Sequence, residues 1–223
     1  SPVLASGQPH PTMDLTEAIY GRRAIRHFTD APVPTTAIEN LLKAALQAPS
    51  ATNQQPWAFG VVRGQDQLRK MSDRAKDYIL VTLPRDLTLH HIADSLTRPE
   101  TNVFHDAGTL IVIYAKPARF HPVEDCFLAA QNLMLAAHGL GLGTCPIGFA
   151  RQWLDLPEIK HELGVPVRYT VAMPIVVGWP AAPAAPVSRR EPEIVCWRET
   201  PGRGLSAVPF PFARPPTNPR GTS

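Results

Sequence analysis

Proline placement sets the first limit on this chain. Of its 25 prolines, three fall in residues 1–13, twelve in residues 14–179 and ten in residues 180–223. Each proline removes a backbone donor and breaks a helix interior, so both ends are closed to long helices. Pro209-Phe210-Pro211-Phe212 and Pro215-Pro216 read as an extended arm, wrapped on a surface or solvated. The expected organisation is a flexible tail over 1–13, one domain over 14–198 and a proline-rich arm over 199–223. The middle has enough apolar material for one sizeable core, with 44% hydrophobic residues in the 223-residue chain. No apolar run is long enough to span a membrane.

Charge and cysteine narrow the class. The net charge of +3 is small and scattered, which gives no nucleic-acid footprint. Cys126, Cys145 and Cys196 form no CxxC pair and are odd in number. They predict neither a disulfide scaffold nor a zinc ribbon, and a cytoplasmic setting is the default. His90, His91, His105 and His121 match no metal-ligand spacing, so no metal is expected.

Periodicity predicts helix and strand in alternation. Asp14–Tyr20 reads as a short helix, and Thr36 with Glu39 as a capping box ahead of Ile38, Leu41, Leu42 and Ala45. Trp57–Val62 is a strand candidate. Thr109–Ala115 and Tyr169–Val177 are short apolar runs typical of buried strands. Pro122 suits the first turn of a long helix that buries Phe127, Ala130, Leu133, Met134 and Ala137 and ends at Gly139. Asp155–Leu163 reads as a short capped helix. Residues 78–107 have the weakest pattern and are expected to form loop and short helix, a candidate lid. This order implies an α/β or α+β sheet protein.

Four segments carry chemistry. Gly21-Arg22-Arg23-Ala24-Ile25-Arg26-His27-Phe28 places Arg22, Ala24 and Arg26 on one side if extended, where two guanidiniums could grip a phosphate. Spacing alone favours a solvated basic turn. Ser50, Thr52, Asn53 and Gln55 lie between Pro49 and Pro56 and offer hydroxyls and amides to a heterocycle, or simply form a polar turn. Gly139, Gly141 and Gly143 precede Pro146-Ile147-Gly148, where backbone could approach a flat ligand closely. Cys145 has no identifiable acid or base partner and reads as a buried small hydrophobe. Arg189-Arg190 near the end is a surface pair or half of a phosphate clamp.

In this order the four segments closely resemble the FMN-dependent nitroreductase family, over about Asp14–Trp197. The shared features are Arg22-Arg23-x-Ile25-Arg26-x-Phe28, Pro49-Ser50-x-x-Asn53-x-Gln55-Pro56-Trp57, the glycine turn into Pro146-Ile147-Gly148, and Arg189-Arg190-x-Pro192. The resemblance implies an α+β fold with a mixed sheet flanked by helices, an intertwined homodimer, and FMN at the subunit interface. It implies that Arg22 and one of Arg189 or Arg190 hold the FMN phosphate, with Arg23 and position 24 beside them. Ala24 stands where many relatives carry a serine. Arg26 would face the pyrimidine edge of the flavin. Ser50, Asn53 and Gln55 would reach it from the partner subunit, and Pro146, Ile147 and Gly148 would lie over the ring. No side chain is expected to act as catalytic acid or base, because the cofactor carries the chemistry. The implied reaction is ping-pong hydride transfer from NADPH or NADH to a small-molecule acceptor such as a nitroaromatic or quinone. Alternatives are a specialised flavin enzyme of the same fold (flavin fragmentation, dehalogenation, azoline oxidation) and a non-enzymatic FMN-binding protein.

Overall fold

The computed structural model describes residues 13–82 and 94–198. Among the described residues the α-helices and strands follow in the order α1 (Leu15–Gly21), α2 (Thr35–Ala45), β1 (Trp57–Arg63), α3 (Gln65–Thr82), β2 (Thr109–Ala115), α4 (Pro122–Gly139), β3 (Gly143–Pro146), α5 (Arg151–Leu154), α6 (Pro157–Glu162) and β4 (Thr170–Gly178), with short 3-10 turns at Ala51–Asn53 and Gly148–Ala150. Two compact units are present, one ending at Ala185 and one beginning at Pro186. The tail to Thr12 and the arm from Glu199 lie outside the described residues. So do residues 83–93 within the expected lid, whereas 78–82 form the last turns of α3.

The four strands pair in the order β1-β2-β4-β3, and every pair is antiparallel. This corrects the mixed sheet expected from the sequence. β2 and β3 do run in the same direction, joined through α4, but β4 lies between them and turns both contacts antiparallel. The parallel contact among the described residues is an isolated bridge from Ala24 to Thr144. β2 is central and buried along its whole length, as a strand covered on both faces must be. Ile111, Ile113 and Ala115 join Leu41, Ala130 and Leu133 of α2 and α4 on one face. Leu110, Val112 and Tyr114 join Leu68, Ala75, Trp153 and Ile159 on the other. The register shift between Ile113 and Tyr114 leaves Ala172 of β4 unopposed.

Local chemistry explains the boundaries. Asp14 caps α1 by accepting from Thr16 N at 2.8 Å. The expected Thr36–Glu39 capping box does not form. α2 begins two residues earlier than a Thr36 cap requires, at Thr35, and Pro34 takes the cap position with no side-chain acceptor. Asp155 also fails to cap a helix. Its carboxylate instead accepts from Lys160 Nζ and from Val171 N, both at 3.0 Å, and the expected helix forms as α6, from Pro157 with Leu156 at its cap position. Phe127 is partly exposed rather than buried, because one further residue rotates it off the stripe of Cys126, Ala130, Leu133 and Ala137. α4 opens on Pro122 with Glu124 and Asp125 in its first turn. It closes in a Schellman motif: Leu142 N donates to Ala137 O, Gly141 N donates to His138 O, and Gly141 adopts φ +75°.

α3 was not anticipated. Leu68, Met71, Ser72, Ala75, Lys76 and Ile79 form its buried face at helical spacing, diluted in sequence by Asp66, Arg69, Lys70, Asp73, Arg74 and Asp77. Among the described residues no helix is long and apolar enough to cross a membrane.

Candidate cofactor site

The arginine segment leaves α1 as an extended run on the β3 edge. Ile25 N donates to Thr144 O at 2.9 Å, Thr29 N to Trp179 O at 2.9 Å, and Ala181 N to His27 O at 3.0 Å. Glycine makes the approach possible. A Cβ on Gly143 would lie 2.7 Å from Ile25 Cγ1 and 2.8 Å from its Cβ, and one on Gly178 would lie 2.7 Å from the Phe28 ring. Ala24 packs into the α3 face of the core. The segment is therefore held on the sheet edge by its main chain.

Arg22, Arg23 and Arg26 are placed differently. Arg22 and Arg23 line a cavity of about 330 Å³ with Ile25, His138, Gly141 and Thr144. No Asp or Glu is among its described lining residues. Arg23 turns one guanidinium nitrogen onto the carbonyls of Tyr20 and Arg22, at 2.6 and 2.8 Å, while its buried Nε has no partner among the described residues. Arg26 is exposed. Its charge reaches His105, whose pKa is held below the usual value by burial and then by Arg26 and His27, against Asp106.

Cys145 lies beneath the segment, 2% exposed, with its thiol donating to Pro146 O at 3.6 Å. Burial pushes its pKa up, and Arg26 and Arg22 only partly oppose this. It is a core residue in a thiol form, in line with its reading as a small hydrophobe. Pro146 ends β3, Ile147 N donates to Pro174 O at 2.9 Å, and Gly148 follows with open space where a Cβ would stand. Gly148 also borders a cavity of about 540 Å³ with Tyr78, Ile79, Thr82, Arg151 and Val171.

The polar turn forms at the other end of α4. Ala51 N donates to the Asp125 carboxylate, at 3.1 Å to Oδ2. Gln54 accepts from Arg119 N at 2.9 Å and donates to Ala51 O and Thr52 Oγ1. Ser50 Oγ accepts from Gln55 N at 3.0 Å, and Gln55 donates to Asn53 Oδ1 at 3.1 Å. Thr52, Asn53 and Gln55 all adopt left-handed backbone, at φ 50°, 55° and 47°. Such strain is uncommon outside functional sites. Gln54 and Asp125, which anchor the turn, were not singled out in the sequence; Asp125 is 74 residues away and gives no local signal.

The arginine segment meets the last turn of α4, where Gly21 faces His138, and the polar turn meets the first, at Asp125. The helix rises about 20 Å from Asp125 to His138. One chain thus brings Arg22, Arg23, Ala24 and Arg26 together but leaves Ser50, Asn53 and Gln55 apart from them. Arg189 and Arg190 are exposed in the second unit. Among the described residues no group of three or more His, Cys, Asp or Glu could hold a metal ion.

Comparison with known proteins identifies the family. A protein of Archaeoglobus fulgidus named for NADH dehydrogenase/NAD(P)H nitroreductase activity is 33% identical over 167 residues, 73% of this chain and 83% of the relative. A nitroreductase of Bacteroides fragilis solved with bound FMN superposes with a TM-score of 0.70 at 23% identity, over 85% of this chain and 100% of that one. An iodotyrosine deiodinase bound to FMN and 3-iodo-L-tyrosine gives a TM-score of 0.65 at 23% identity, over 84% of this chain and 100% of that one. The family model for nitroreductases matches residues 19–179, from the helix before the arginine segment to the end of the sheet, and the chain belongs to the nitroreductase family.

Proposed function

We propose that this chain is an FMN-dependent oxidoreductase that takes hydride from NADPH or NADH and passes it to a small oxidised acceptor, a nitroaromatic or quinone, in ping-pong order. The observation that carries this reading is the arginine-lined cavity beside Ile25 and Thr144, without a carboxylate among its described lining residues. Its donor set fits a phosphate monoester, since Arg22 and Arg23 supply charge and Arg23 Nε is a buried donor without a partner. Bare backbone at Gly148 and the exposed Arg26 fit a planar ring with an electron-rich edge. FMN, when bound, supplies the hydride exchange between donor and acceptor.

The residues of the chain hold and orient. Arg22 grips the phosphate. Arg26 places positive charge where reduction of the ring adds negative charge, which favours the reduced state. Pro146, Ile147 and Gly148 support the ring face. The cavity shared by Gly148 with Tyr78, Ile79 and Thr82 links the acceptor side to the weakly patterned stretch that begins at residue 78.

The site is shared in this proposal. Ser50, Asn53 and Gln55 come from a second copy, because about 20 Å of α4, from Asp125 to His138, lies between them and the arginines of their own chain. The exposed apolar side chains Leu15, Ile19 and Tyr20 of α1 and Phe127 and Leu128 of α4 are suited to the homodimer contact. Cys126 and Cys145 are buried free thiols and Cys196 is an exposed one, which suits the reducing cytoplasm.

The test is a visible spectrum of the purified protein, followed by anaerobic NADPH and then NADH. A yellow protein that bleaches upholds the proposal and identifies the donor. One that stays yellow points to a flavin-binding protein or to another chemistry of the fold, such as dehalogenation. A protein that takes up no FMN overturns the reading. Arg22→Ala is expected to weaken FMN binding by about 1.5–3 kcal/mol, the loss of a charge-assisted contact, measured by fluorescence titration.

A further inference from the structure

We infer that His138 is a ligand of the anion cavity, donating from its imidazole to a phosphate dianion beside Arg22 and Arg23, and so linking phosphate binding to proton uptake. The inference rests on the flavin reading for the identity of the ligand, not for the existence of the site.

Geometry carries it. His138 stands in the last turn of α4 and lines the cavity with Gly21, Arg22, Arg23, Gly141 and Thr144. A Cβ on Gly21 would fall 2.8 Å from His138 Nε2, so the absence of a side chain there lets the ring into this position. None of the hydrogen bonds found among the described residues involves the ring, and Arg23 Nε in the same cavity is buried without a partner. Buried donors are rarely left unsatisfied. An acceptor with several oxygens would serve both. The C-terminal end of α4 would ordinarily repel an anion. Here its Ala136, Ala137 and His138 carbonyls already accept from Leu140, Gly141 and Leu142.

The surrounding charges set the direction of the proton linkage. Burial lowers the pKa of His138, Arg22 and Arg23 lower it further, and Glu17 of α1 opposes them. In the free protein the ring is therefore neutral near pH 7. A dianion between the arginines offsets their repulsion and raises the imidazole pKa, so binding takes up a proton. Affinity for a dianion that does not itself titrate must then rise as pH falls. Arginines alone give no such slope, because they do not titrate in this range. The arrangement also supplies a donor in a segment where Ala24 offers no hydroxyl.

Sulfate, dianionic throughout the range, is the probe. It is titrated into flavin-free full-length protein while the His138 ring is followed by NMR. The His138 pKa is expected to rise, and sulfate affinity to increase about tenfold from about pH 8 to about pH 6, the size of one charge-assisted hydrogen bond. His138→Gln is expected to abolish the slope. His138→Lys should restore affinity without it. Gly21→Ala, which pushes the ring aside, should reproduce the Gln variant. With flavins, His138→Gln should weaken FMN binding about tenfold near pH 6 and leave riboflavin binding unchanged. Equal weakening of FMN and riboflavin would show a structural role and overturn the inference. So would a His138 pKa that sulfate does not move. If sulfate raises that pKa in a protein that takes up no FMN, the flavin reading falls and the anion site stands.

Discussion

The two ends of α4 hold the two halves of the candidate site by different means. At the C-terminal end the arginine segment is fixed through its backbone, by Ile25 N to Thr144 O and by close packing onto Gly143 and Gly178. At the N-terminal end the turn from Ala51 to Gln55 is fixed through side chains, by Asp125, Gln54 and Ser50, and it carries three left-handed non-glycine residues. The first end offers charge and the second offers amides and hydroxyls. The sheet edge holds its segment without drawing on the arginine side chains for its main-chain bonds. A turn beyond the sheet must spend several of its own polar groups on its shape.

Breaking the first end should have the larger effect. Gly143→Ala would place a Cβ within 3 Å of three Ile25 side-chain atoms, and a β-branched side chain has little room to turn away. The segment must lift from Thr144, which should cost about 1–3 kcal/mol in urea unfolding and release most of the bound flavin. An unchanged unfolding midpoint would show that the close contact does not fix the arginines.

The second end should fail more narrowly. Asp125→Ala removes the acceptor of Ala51 N from a buried position on α4. The expected cost is about 1–3 kcal/mol, the loss of a hydrogen bond to a charged group. Flavin affinity should fall although the arginine cavity is intact. Sulfate binding is the discriminating measurement: it should be lost in Gly143→Ala and kept in Asp125→Ala. Loss in both would contradict the separation of the two halves by the length of α4.

How much of this was legible in the sequence follows the same division. The Arg22–Phe28 segment, β2 and α4 announce themselves because apolar runs, proline and glycine act locally. The interior of α3 carries a helical stripe from Leu68 to Ile79, hidden by its many charges. The capping box failed because the cap falls at Pro34, two residues before Thr36, and a sequence motif does not show which residue takes the cap. Antiparallel order could not be read, because inserting β4 between β2 and β3 depends on pairings distant in sequence, such as Thr109 with Val177 and Gly143 with Gly178. Gln54, Asp125 and His138 were missed as site residues for a related reason: each matters through a neighbour brought by the fold. His138 needs Gly21, and Asp125 needs Ala51.

The smallest expected effect sharpens what the strained turn is for. Thr52 is β-branched at φ 50°, ψ 28°, a conformation costing roughly 1–2 kcal/mol for an L-residue. Glycine would relieve most of that cost, but it enlarges the freedom of the unfolded chain by about 0.5–1 kcal/mol. It also removes Oγ1, which accepts from Gln54 Nε2 at 3.0 Å at an exposed position worth little. The sum predicts that Thr52→Gly is neutral or stabilises by up to about 1 kcal/mol in thermal unfolding. If the strain presents Asn53 and Gln55 to a ligand, the same variant should bind flavin less tightly while folding at least as well, because a freer turn must be ordered on binding. Gains in both stability and affinity would mean that the left-handed residues serve only the local path of the chain from α2 to β1.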